Sequence, residues 1–77
     1  MLRAGVIDDE PRSLADLCRR LEATGLCEVV CRATDPVEGL ALLQRTTPDF
    51  VLLDIEMPGL DGLALAAALT PRTAVVF

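Results

Sequence analysis

The sequence predicts an open α/β sheet of parallel strands, with elements in the order βαβαβαβ and strands arranged 2-1-3-4. Three observations carry this. Short apolar runs at residues 2–7, 27–33, 50–53 and 73–77 alternate with segments of helical period. The helical segments begin and end on capping signals. The third run, Phe50-Val51-Leu52-Leu53, is apolar without alternation, as expected of a strand buried on both faces at the centre of a parallel sheet.

Taken in order, Leu2 to Ile7 is a short strand that ends on Val6-Ile7 and is cut off by Asp8-Asp9-Glu10 and Pro11. Ser13 with Asp16 three residues on is a capping pattern, and Leu14, Leu17, Cys18 and Leu21 recur at helical spacing. Gly25 stops that helix. Residues 27–33 form the second strand, with Val29 and Cys31 on one face and Val30 and Arg32 on the other. Asp35-Pro36-Val37-Glu38 supplies an N-cap, a first-turn proline and a capping-box acid, so a second helix runs to about Gln44. Thr46-Thr47-Pro48-Asp49 reads as a loop before the third strand. Asp61 caps a third helix through Leu69, Pro71 ends it, and Thr73 to Phe77 is the fourth strand. Parallel strands joined by right-handed crossovers cover both faces only if the first helix lies on one side and the later ones on the other. That places the third strand beside the first and the switch point between them.

The chain has 77 residues, enough for one small domain, and is 52% hydrophobic and 25% charged, a globular balance. Net charge is −5, and every basic residue is a scattered Arg, so no basic stripe offers itself to nucleic acid or to an anionic membrane. There is no His, which removes the commonest general base, the Ser-His and Cys-His pairs and most zinc sites. The cysteines are three, Cys18, Cys27 and Cys31. On one regular strand Cys27 and Cys31 would point to the same face about 13 Å apart, beyond the roughly 7 Å that a disulfide spans. They read as small hydrophobes of a reducing compartment. The N-terminus turns acidic before a signal-peptide core could form, and no apolar run is long enough to span a membrane; the expected location is the cytoplasm.

Ligands of such sheets bind beyond the carboxyl ends of the strands at the switch point. Seven of the twelve acids fall there: Asp8, Asp9 and Glu10 after strand one, Asp35 after strand two, and Asp54, Glu56 and Asp61 after strand three. Adjacent strands lie about 4.8 Å apart, which brings Asp54 near Asp8 or Asp9. Like charges about 4 Å apart repel by on the order of 4 kcal/mol at an effective dielectric of 20. A raised pKa or a bound cation relieves the strain. Oxygen donors alone select a hard ion, and two or three carboxylates suit Mg²⁺, which keeps waters and shares a phosphate, better than a calcium cage. Asp35 and Asp61 read as helix caps, and Pro58 and Gly62 as turn-formers.

Asp8-Asp9-Glu10-Pro11 after the first strand, and Asp54-Ile-Glu-Met-Pro58-Gly-Leu-Asp-Gly62 after the third, resemble the receiver domains of bacterial two-component response regulators, which have a flavodoxin-like fold. The resemblance implies that Asp54 is the phosphoacceptor, that Asp9 binds Mg²⁺ directly with Asp8 helping through water, and that the Glu56 backbone carbonyl completes the protein's share of the coordination. It implies a histidine kinase or a small phosphodonor as the partner, and a signalling module in place of an enzyme.

The resemblance covers the entire chain but about two thirds of the family's pattern of five strands and five helices. The expectation is therefore one domain, residues 1–77, without the fourth helix, fifth strand and fifth helix. The family's Ser or Thr beyond the fourth strand and Lys at the end of the fifth have no counterparts, and no Lys occurs in the chain. Strand four, apolar at Ala74-Val75-Val76-Phe77, becomes an unprotected edge, and the helix at 63–69 lacks a polar face. The second functional expectation follows from this: a receiver that is not phosphorylated and self-associates through strand four (residues 73–77) or an uncovered sheet face.

Overall fold

The structure, a computed structural model, describes residues 1–53 and 74–76. Its elements are β1 (Leu2–Ile7), α1 (Pro11–Ala23), β2 (Cys27–Ala33), α2 (Pro36–Thr46), β3 (Phe50–Leu53) and β4 (Ala74–Val76). All four strands are parallel, in the order β2-β1-β3-β4. β1 is therefore central: Ile7 pairs with Ala33 on one side and with Leu53 on the other. The third helix expected at residues 61–69 lies outside the described residues.

α1 and α2 cover opposite faces. Leu14 and Cys18 of α1 pack on Val6, with Leu17, Leu21, Val29 and Leu52 partly buried around them. Leu43 of α2 packs with Ile7, Cys31, Val51 and Leu53 on the other face. Val51 and Leu53 thus face α2 while Leu52 faces α1, which accounts for the unbroken apolar run in β3. Two glycines let α2 sit close to the sheet. A Cβ at Gly5 would lie 2.7 Å from Leu43 Cδ2, and one at Gly39 would lie 2.5 Å from Ile7 Cδ1.

Four local expectations are corrected. The N-cap of α1 is Glu10 and not Ser13: Pro11 occupies the first helical position, where its missing N–H costs nothing, and the Glu10 carboxylate accepts from the Arg12 N–H. α2 continues to Thr46, past Gln44, and ends where Thr47 turns left-handed with its N–H on the Leu43 carbonyl. Thr46 is accordingly helical rather than part of the loop, which opens at Thr47 with φ 42°. The strict alternation in β2 fails as well. Ala4 pairs with Val29 but Gly5 pairs with Cys31, so Val30 is an extra, bulged residue. One extra residue reverses the facing of everything after it, and Val29 joins the α1 cluster while Cys31 joins the α2 cluster. Cys27 and Cys31 therefore do not share a face. All three cysteines are free thiols, as expected.

Other expectations hold. Gly25 has φ 74°, and its N–H returns to the Glu22 carbonyl just after α1 ends. Asp35 caps α2, its Oδ2 accepting from the Glu38 N–H at 2.8 Å. At the pole remote from the acidic cluster, Asp49 ties three strands together. Its Oδ2 accepts from the Arg3 N–H at 2.7 Å, its N–H donates to the Arg3 carbonyl at 2.8 Å, and its carbonyl accepts from the Ala74 N–H at 3.0 Å.

Candidate functional site

The chain leaves β1 at Ile7, between the ends of β2 and β3, so the residues that follow emerge at the centre of the sheet's carboxyl edge. Asp8 is the first of them. Its N–H donates to the Ala33 carbonyl at 3.1 Å, which extends the β1–β2 ladder by one step. The residue is only 7% exposed, the one buried charged residue among those described. Its Oδ1 accepts from the Glu10 N–H at 2.9 Å. Asp9 and Glu10 are exposed on the same turn.

Burying a carboxylate is costly unless hydrogen bonds or a counter-charge compensate for lost hydration. One backbone N–H is modest compensation, and no Arg or Lys pairs with Asp8 among the described residues. The two described ion pairs, Arg19 and Arg20 with Asp16, lie on the exposed face of α1. A buried carboxylate beside an exposed one, both all-oxygen donors, fits a hard divalent ion such as Mg²⁺, with Asp8 and Asp9 as the residues following β1 that could hold it.

Of the expected site residues, the described structure brings Asp8 and Asp9 together at the switch point. Asp35 is engaged as the cap of α2 and so stands apart from the cluster in role. Asp54 is the next residue in the chain after Leu53, the partner of Ile7; Asp54, Glu56 and Asp61 lie outside the described residues. Among the described residues no group of three potential ligands forms. Glu10 was not anticipated as the residue that caps α1 and steadies Asp8. Pro11 directly behind it was the signal that could have found it, since proline prefers the first helical position.

Residues 5–77 match the response regulator receiver domain family, and the chain belongs to that family. It is 40% identical over 73 residues to an uncharacterized response regulatory protein of Yersinia pestis, covering 95% of this chain and 31% of the relative. To the positive alginate biosynthesis regulatory protein of Pseudomonas aeruginosa it is 43% identical over 70 residues, covering 90% of this chain and 28% of the relative. The chain thus spans about a third of the length of these curated relatives. Among solved structures, the signal receiver domain of the response regulator NarL from Mycobacterium tuberculosis superposes with a TM-score of 0.84 at 38% identity, covering 96% of this chain and 62% of that one.

Proposed function

We propose that the chain is a phosphoacceptor receiver domain of a two-component response regulator, taking a phosphoryl group on Asp54 with Mg²⁺ held by Asp8, Asp9, Asp54 and the Glu56 backbone carbonyl. The observation that carries this is the buried Asp8 at the carboxyl end of the central strand, paired in register with the strand that precedes Asp54. Family membership supports it.

In this reading the Asp54 carboxylate attacks phosphorus in line. An O–P bond forms as the donor's bond to phosphorus breaks, leaving an acyl phosphate and the released donor. Bound Mg²⁺ would supply positive charge between the carboxylates and the phosphoryl oxygens. Asp8 and Asp9 present oxygen donors from a turn that the Ala33 carbonyl and the Glu10 N–H hold in place. The donor is a histidine kinase's phosphohistidine or a small phosphodonor. The module acts in signalling as an acceptor and not as an enzyme with turnover, residues 1–77 belong to one receiver-like domain, and its place is the cytoplasm. No described helix is long and apolar enough to cross a membrane.

Incubation with acetyl phosphate and Mg²⁺, followed by intact mass, tests the reading. One added phosphoryl group that disappears in Asp54→Asn supports it, and no addition to folded wild-type chain overturns it.

A second reading, self-association without phosphorylation, is favoured by one observation. β4 is a terminal strand of the described sheet, and Val76 on it is 44% exposed. Light scattering at high concentration separates the two: a dimer or larger species that resists phosphodonor supports the second reading, and a monodisperse monomer removes it.

A further inference from the structure

This inference rests on the reading of Asp8 and Asp9 as holders of a divalent ion. We propose that Glu10 is a positioning residue for that ion: without touching it, Glu10 sets the orientation of the buried Asp8 carboxylate by fastening it to the first turn of α1.

Glu10 stands where three hydrogen bonds meet. Its N–H donates to Asp8 Oδ1 at 2.9 Å, its Oε1 accepts from the Arg12 N–H at 3.1 Å, and its carbonyl accepts from the Leu14 N–H at 2.9 Å. The first bond faces the site and the other two face the helix. Pro11 follows at once, with its φ fixed by the ring and no N–H to compete for the cap, so little torsional freedom separates Glu10 from α1. The helix is itself seated, since Leu14 and Cys18 pack against Val6 two residues before Asp8. Core contact, helix, cap and carboxylate form one continuous chain of fixed groups. Loss of the side-chain cap removes one of the three bonds that meet at Glu10, which stands at φ −97°, ψ 113°, and so loosens the N–H that serves Asp8 Oδ1. Groups that orient a ligand without contacting the metal commonly change metal affinity by about 10- to 100-fold.

The test is calorimetric titration of Mg²⁺ into the folded 77-residue chain and three variants, with thermal melts alongside. Glu10→Ala should weaken binding by about tenfold. Glu10→Asn keeps the backbone N–H and a capping oxygen but no charge, and should stay within about twofold of wild type. Asp49→Ala breaks the tie to the Arg3 N–H at the opposite pole of the sheet, away from α1; it should lower the melting temperature and leave affinity unchanged. Unchanged affinity in Glu10→Ala overturns the inference. So does Glu10→Asn as weak as Glu10→Ala, which would make the Glu10 charge itself the agent, or Asp49→Ala as weak as Glu10→Ala, which would make the effect general loosening. No Mg²⁺ uptake by folded wild type removes the metal reading and this inference together, an outcome distinct from the other three.

Discussion

Gly39 of α2 lies against Ile7 of β1 so closely that a Cβ on residue 39 would come within 2.5 Å of Ile7 Cδ1 and 3.0 Å of Ile7 Cγ1. Ile7 is the last paired residue of the central strand, directly before Asp8, so the seating of α2 bears on the geometry of the site. Alanine in a helix interior is favoured over glycine by about 1 kcal/mol. Overpacking a filled core costs about 1–3 kcal/mol, and the buried Ile7 side chain would have to shift to admit the methyl group. The overpacking wins. Gly39→Ala should destabilise the fold by about 1 kcal/mol net, read as a lower urea midpoint with unchanged slope.

Asp8→Asn should raise stability in EDTA and abolish stabilisation by Mg²⁺. The asparagine carbonyl still accepts from the Glu10 N–H, while the cost of a buried charge is gone. Wild type at a Mg²⁺ concentration tenfold above its dissociation constant should gain about 1.4 kcal/mol, and the variant nothing. Melts with and without Mg²⁺ check both halves. A variant that keeps the full Mg²⁺ shift would remove Asp8 from the site.

Asp35→Ala separates a cap from a ligand. Its Oδ2 is committed to the Glu38 N–H at 2.8 Å, so the loss should cost about 1 kcal/mol of stability and leave Mg²⁺ affinity as it was. Weakened Mg²⁺ uptake in this variant would place Asp35 in the acidic site.

Cys27 and Cys31 should not form an intramolecular disulfide in the folded chain. The bulge at Val30 sends them to opposite faces, and Cys31 is buried under α2. Oxidation under native conditions followed by thiol titration in denaturant should return three free thiols per chain, whereas a 27–31 bridge in mapped peptides would contradict the bulged register.

The bounds of β1, β2 and β3 and the caps at Gly25 and Asp35 were legible in the residues, because period, proline and glycine act within a few positions of the chain. The parallel order followed from them, since alternating strands and helices leave few ways to cover both faces. The acidic cluster was legible as a list of residues placed after strand ends. What tertiary structure alone decided depends on partners distant in sequence. Val30 bulges because β2 must match β1, a register that no local pattern records. Asp49 closes on Arg3, 46 positions away. Asp8 is buried while Asp9 beside it is exposed, although the two are the same residue type. Burial is a property of what packs around a group, and the Ala33 carbonyl that Asp8 meets, 25 positions along the chain, is brought there only by the fold.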